Sequence, residues 1–270
     1  MESEIEKRVL AGREAVEKRK ALVHEKLGRV ESEWKHDASR VTEVDFAVTR
    51  EVFAELSQAF PDDDYFSEEM DPGQGALELG GEFSWVLDPI DGTNNFAVGI
   101  SACAISLALL RKGQPVYGLL YDVSRSRLIE GGPGIGLWDG GRPVSMRPAS
   151  TRTSPTLGVN TPRNRAYASL MGEVAVRYKM RALGSGALSM GYVGAGMLDG
   201  AVDVNVKVWD IAAAHAICLA GGAEVRYLNG ELFPLRKFDL GMSEVYYCAG
   251  SPALCDELEK MVAKTVQSAQ

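Results

Sequence analysis

The sequence predicts a mixed α/β or α+β protein built as two layered halves, 1–150 and 151–270. Three observations predict it. Charge-rich amphipathic helices stand at the N-terminus and again at the C-terminus, where Leu254, Leu258, Met261 and Val262 share one face. Short apolar runs bounded by Gly and Pro turns fill 101–143 and read as a meandering, largely antiparallel sheet. Beyond a polar stretch at 147–155, which reads as a joint, strands and helices alternate instead.

Taken in order, residues 2–27 read as one helix. Ile5, Val9, Gly12, Val16, Val23 and Leu27 fall on one stripe, with Glu4→Arg8 and Glu14→Lys18 as i,i+4 pairs and Gly28 as the stop. Residues 34–41, with Lys35, His36, Asp37 and Ser39, read as an extended connection. Thr42 followed by Asp45 is a capping pair that opens a second helix on Val44, Val48, Val52 or Phe53, and Leu56. The acids of 61–64 are expected to be solvated in a turn, and the glycines of 70–81 mark a loop. In the second half, 157–159, 202–208, 223–227 and 245–249 read as strands, and 163–179, 184–197, 209–220 and the segment after Ser251-Pro252 as helices. His215 reads as a packed, hydrogen-bonded core histidine.

The bulk composition narrows the function. With 46% hydrophobic and 24% charged residues, the chain of 270 can bury a sizeable core. A net charge of −8 argues against non-specific nucleic-acid binding, which needs Lys and Arg on phosphates. Four widely spaced cysteines in apolar runs read as reduced core residues. A charge-dense N-terminus and no apolar run near membrane-spanning length predict a cytoplasmic protein with no membrane partner.

The chemistry concentrates at 85–96. An apolar run ends in Asp88 and Asp91, with Pro89 and Ile90 between them. Pro89 stiffens the turn, Gly92 lets the backbone reverse, and Thr93-Asn94-Asn95 is helix-start chemistry. Two acids beside free backbone N–H groups suit cations next to an anion. Glu68-Glu69 ends another apolar run, and Asp210 follows a third. If the three runs neighbour one another in one sheet, their carboxylates converge at its C-terminal edge. Oxygen donors without His or Cys select hard ions, with Mg²⁺ first.

Val41-Thr42-Glu43-Val44-Asp45, Glu68-Glu69, Asp88-Pro89-Ile90-Asp91-Gly92-Thr93 and Trp209-Asp210 together resemble the inositol monophosphatase-like, lithium-sensitive metal-dependent phosphatases. All four motifs stand in that family's order. The resemblance implies an αβαβα sandwich, a homodimer and two or three Mg²⁺ ions. It implies metal ligation by Glu68, Asp88, Asp91 and Asp210 through side chains and by Ile90 through its carbonyl. It implies that Glu68, Thr93 and Asp45 orient an attacking water, Thr93 donating to Asp45, with no phosphorylated enzyme intermediate. Substrate contacts fall on Asp91, Gly92, Thr93, Ala187, Asp203 and Asp210. The N-terminal half is expected to carry most of the metal site, and the C-terminal half Asp210 and substrate contacts.

The expected substrate is a small phosphorylated polyol or sugar, inositol monophosphate foremost. Fructose 1,6-bisphosphate, histidinol phosphate and 3′-phosphoadenosine 5′-phosphate are the alternatives. Asn94-Asn95-Phe96 resembles the inositol branch, but the Tyr-x-Glu often found there before Trp-Asp is missing. Asp203 either replaces that Glu or caps a strand end; Lys207 either meets a second anionic group or is an exposed lysine. The D-x-x-D spacing departs from the D-x-D-G-T of haloacid-dehalogenase-like phosphatases, and no kinase phosphate loop occurs. A non-catalytic regulatory protein on the same fold is the alternative of another class; it would be expected to lose ligands, and all the motif acids are present.

Overall fold

The computed structural model describes residues 3–34, 40–148, 154–160 and 165–267. Helix α1 (Glu4–Lys26) opens with a capping box in which Ser3 and the Glu6 side chain satisfy each other's free N–H groups. It buries Val9, Gly12, Val16 and Val23, the predicted stripe, and its Glu4–Arg8 and Glu14–Lys18 pairs are made. A hairpin of β1 (Ser32–Trp34) and β2 (Arg40–Thr42) follows. Residues 35–39, with Lys35, His36, Asp37 and Ser39, lie outside the described residues. Helix α2 (Glu43–Ala59) starts on the Thr42/Asp45 box and buries Val44, Val48, Val52 and Leu56. Both helices pack on one face of a seven-stranded sheet, against Trp85, Leu87, Ile105, Leu107 and Leu119.

That sheet holds β3 (Asp64–Ser67), β5 (Phe83–Asp91), β6 (Ala104–Arg111), β7 (Gln114–Asp122), β8 (Arg127–Gly132), β9 (Gly136–Asp139) and β10 (Arg142–Pro143). The order is β10-β9-β8-β7-β6-β5-β3, antiparallel except for the edge pair β3·β5. Helices cover both faces, which is why β5 and β6 read as continuous apolar runs.

The second face of this sheet meets α5 (Gly186–Gly194) and α6 (Val208–Gly221), the middle layer. Helix α6 approaches closely: a Cβ on Gly118 of β7 would stand 2.1 Å from the Ala213 carbonyl. Beyond lies a five-stranded mixed sheet of β11 (Thr156–Val159), β12 (Lys179–Ala182), β13 (Gly200–Val206), β14 (Glu224–Tyr227) and β16 (Val245–Gly250), in the order β12-β11-β13-β16-β14. Helices α4 (Arg165–Arg177) and α7 (Pro252–Gln267) close its outer face on Leu157, Val202 and Cys248. The result is the five-layer αβαβα sandwich.

The short helix α3 (Thr93–Val98) follows β5. The 70–81 loop contains one 3₁₀ turn and a strand, β4 (Leu77–Glu78), which pairs with β15 (Lys237–Phe238). Three expectations need correction. Asp63 is not solvated: it is buried and takes two bonds from the Arg8 guanidinium, at 2.8 and 2.7 Å, and one from Trp85 Nε1 at 3.0 Å. Asp64 starts β3 and accepts the Gly80 and Gly81 N–H groups. The three acid-ended runs do not neighbour one another in one sheet, because β13, which leads to Asp210, belongs to the second sheet. All four cysteines are free and buried. Among the described residues no helix is long and apolar enough to cross a membrane.

Candidate active site

Strand β5 carries the acidic turn to its last residue. Its register against β6 slips between Asp88 and Asp91, so Pro89 sits at an irregularity where no ladder donor is needed. Asp88 Oδ1 accepts the Ile90 N–H at 3.1 Å, which locks the turn. Gly92 then adopts φ +88°, where a Cβ would be strained and would stand 3.0 Å from the Gly184 carbonyl and 3.1 Å from that of Ala102. Thr93 begins α3.

Three carboxylates meet here from three elements. Glu68 leaves the end of β3, the parallel neighbour of β5. Asp88 lies within β5. Asp210 is in the first turn of α6, where its Oδ2 accepts the Lys207 N–H at 2.8 Å. One oxygen from each of Glu68, Asp88 and Asp210 lies within 4.8 Å of the other two. The acids therefore do converge, through a helix of the middle layer rather than a third neighbouring strand.

Electrostatics make this convergence costly for the bare protein. Asp88 is 2% exposed, and its carboxyl is pushed well above its ordinary range. Burial is the main cause, followed by the charges of Glu68, Asp91, Asp210 and Asp45. Asp210 is raised in the same direction by burial and by Asp91 and Glu68, against hydrogen bonds from Lys207 and Asp88. A divalent cation fits this set: it would supply the positive charge that a buried Asp88 and its half-buried, mutually repelling neighbours Glu68 and Asp210 call for, and no His or Cys takes part.

Asp91 stands apart from that triad. It takes bonds from the start of α5: Ser185 Oγ, Gly186 N at 3.2 Å and Ala187 N at 2.9 Å. Burial raises it to about 6, and those donors oppose the rise. Asp45, 1% exposed, is held by the Thr42 N–H and hydroxyl at 2.8 and 2.6 Å. Burial, then the charges of Glu69 and Glu68, lift it to about 7 against the Thr42 bonds. Thr93 Oγ1 lies 2.8 Å from the Ile90 carbonyl and 3.5 Å from Asp45 Oδ1, so its single proton has two acceptors.

The remaining sequence candidates are farther along the same layers. Ala187 is in the first turn of α5, joined to Asp91 through its N–H. Asp203 is buried in β13 and accepts the Asn205 N–H at 2.9 Å, which is strand-end capping; its Oδ2 is buried without a well-formed hydrogen bond. Lys207 is not an exposed lysine. It donates to the Met242 carbonyl and approaches Glu244 at 3.8 Å. His215 is packed as expected, with Nδ1 2.9 Å from the Tyr227 hydroxyl. The Gly184-Ser185-Gly186 helix start reads in the sequence as suited to a phosphate or hydroxyl; in the structure Ser185 caps α5 through Leu188 and holds Asp91, a partner the sequence reading did not give.

A fold of five alternating layers with acids convergent at a strand-to-helix turn defines a metal-site hydrolase class. The model of the "Inositol monophosphatase family" matches residues 1–270, and the chain belongs to that family of phosphatases. A "Nus factor SuhB" from Pasteurella multocida is 32% identical over 197 residues, 70% of this chain and 72% of that one. A "Fructose-1,6-bisphosphatase/inositol-1-monophosphatase" from Thermotoga maritima is 30% identical over 196 residues, covering 71% and 72%. Among solved structures, a Thermotoga maritima IMPase superposes with a TM-score of 0.82 at 25% identity, over 95% of this chain and 97% of that one.

Proposed function

We propose that this phosphatase hydrolyses the phosphate monoester of a small polyol or sugar with Mg²⁺ as cofactor, inositol monophosphate being the first candidate substrate. The observation that carries the reading is the approach of Glu68, Asp88 and Asp210 to within 4.8 Å beside the start of α3. Those three, with Asp91 and the Ile90 carbonyl, would hold two or three ions. When bound, the ions supply charge that acidifies the attacking water and offsets charge on the leaving oxygen.

The chain's own residues do the rest. The Gly92 and Thr93 N–H groups at the helix start receive phosphate oxygens. Glu68 and Thr93 align the water in line with the scissile P–O bond, and Asp45 steadies Thr93 by accepting a hydrogen bond from its hydroxyl. A water oxygen bonds to phosphorus as the ester P–O bond breaks, one water proton ends on the departing alcohol oxygen and inorganic phosphate is released, so no enzyme group becomes phosphorylated. Ala187 lies on the substrate side next to Asp91, and Asp203, buried in β13, is the candidate partner of a ring hydroxyl. The halves 1–150 and 151–270 share this one site, in a cytoplasmic homodimer.

The relative named fructose-1,6-bisphosphatase/inositol-1-monophosphatase keeps a sugar bisphosphate in view as substrate. The relative named Nus factor favours a second reading, a regulatory role carried on the same fold. A phosphate-release panel with Mg²⁺ separates these: inositol 1-phosphate, fructose 1,6-bisphosphate, histidinol phosphate and 3′-phosphoadenosine 5′-phosphate. Turnover fastest on inositol 1-phosphate supports the proposal. Turnover on none, by protein that binds the ion, refutes it and leaves the regulatory reading.

A further inference from the structure

Glu68 and Asp210 come from elements that no backbone ladder joins. Strand β3 is the edge strand of the first sheet, and α6 is a helix of the middle layer. Glu68 keeps a main-chain bond to the first sheet, its N–H donating to the Leu87 carbonyl of β5 at 3.3 Å, and this bond does not reach α6. Something other than main-chain hydrogen bonding must therefore fix the spacing between these two carboxylates.

One side chain touches both approaches. Phe238 is 1% exposed, and its ring stacks on Phe66, two residues before Glu68, with centroids 5.1 Å apart and planes 18° apart. The same ring packs at 5.6 Å and 49° on Trp209, the residue before Asp210. Phe66 and Trp209 are themselves buried.

Phe238 is in turn held from outside the site. It sits in β15, opposite Leu77 of β4, with Lys237 paired to Glu78 at 2.7 Å and Leu79 N on the Arg236 carbonyl at 3.0 Å. Leu235 N bonds the Gly113 carbonyl at 2.8 Å, which ties the segment to the β6–β7 turn. Farther along, the Met242 carbonyl takes the Lys207 ammonium, and Lys207 supplies the N–H that caps Asp210. One segment, 235–242, is thus attached to the routes leading to both carboxylates.

We propose that Phe238 is a positioning residue for the metal site: wedged between Phe66 and Trp209, it sets the distance between Glu68 and Asp210. It touches neither ion nor substrate. Its aromatic thickness holds the edge strand and the middle helix at one separation, much as outer groups orient the ligands of metal centres. The proposal rests on the reading of Glu68, Asp88 and Asp210 as ion ligands.

The test is Mn²⁺ binding to the full chain without substrate, followed by electron paramagnetic resonance. The variants are Phe238→Ala, Phe238→Leu and Leu258→Ala, the last a buried core truncation in α7 on the far outer layer. Phe238→Ala is expected to weaken Mn²⁺ binding by about 10- to 100-fold, the range for changes behind metal ligands. Phe238→Leu shifts affinity the same way by a smaller factor, and it carries the test if the alanine variant does not fold. Leu258→Ala lowers the melting temperature and leaves affinity alone. In turnover, Phe238→Ala raises the Mg²⁺ concentration for half-maximal rate, while the rate at saturating Mg²⁺ stays near that of the parent. Wild-type affinity in the folded Phe238 variants, or an equal shift in Leu258→Ala, overturns the positioning role alone. A parent protein that binds no Mn²⁺ overturns the ligand assignment together with it.

Discussion

Removing one charge from the acid cluster should stabilise the metal-free protein while destroying its response to metal. The perturbation is Asp88→Asn, which keeps an oxygen for the Ile90 N–H and removes the negative charge. Burial and the charges of Glu68, Asp91, Asp210 and Asp45 all disfavour the ionised Asp88 carboxyl in the folded protein. Each kcal/mol of that penalty relieved raises the melting temperature by roughly 2–4 °C for a chain near this size. The assay is thermal unfolding at pH 7.5 with chelator and again with Mg²⁺. The parent should melt lower in chelator and gain about 2.7 kcal/mol at an ion concentration 100 times its dissociation constant. Asp88→Asn should melt higher than the parent in chelator and gain nothing from Mg²⁺. A variant that is less stable than the parent in chelator, or that keeps the Mg²⁺ gain, refutes the reasoning.

Three further outcomes follow from single contacts. Thr93→Ala should fold normally and lose about 100-fold or more in turnover, since the hydroxyl between Ile90 and Asp45 is gone; a loss confined to KM would count against its role with the water. Gly92→Ala should cost about 1–2 kcal/mol, because the residue sits at φ +88° against two carbonyls, and unchanged unfolding in denaturant would contradict this. His215 is held neutral by burial, with its pKa lowered from 6.5 to about 4. A depressed histidine stabilises the fold above its unfolded pKa, and the stability is lost as pH falls through the window from 6.5 to 4. At pH 5 the loss is about 2 kcal/mol, so His215→Phe should flatten the stability profile between pH 7 and pH 5. An equally steep profile in the variant would show that His215 is not the group responsible.

What was legible in the sequence was chemistry acting over a few residues. The Thr42/Asp45 box, the Asp88–Thr93 turn and the amphipathic stripes of α1 and α2 each follow from neighbours three or four positions apart. What was not legible depended on partners brought together by the fold. Asp63 reads as one acid in an acidic turn, and only packing delivers Arg8, 55 residues away, to neutralise it. Asp91 reads as a free ligand, yet the start of α5 supplies it with three donors from nearly a hundred residues away. The run before Asp210 resembles the other acid-ended strands; its placement in a separate sheet is a matter of topology that no local pattern encodes. Phe238, in a two-residue strand within a turn-rich segment, carries no signal of its own in the sequence.

The most direct measurement is phosphate release from inositol 1-phosphate as Mg²⁺ is raised from chelated to saturating, in the parent protein and in Glu68→Gln. The account predicts no release in chelator, a rate that climbs and saturates with Mg²⁺, and no such rise in the variant. Release that ignores the chelator, or a Glu68→Gln protein that responds to Mg²⁺ like its parent, would contradict the claim that these convergent carboxylates form the catalytic metal site.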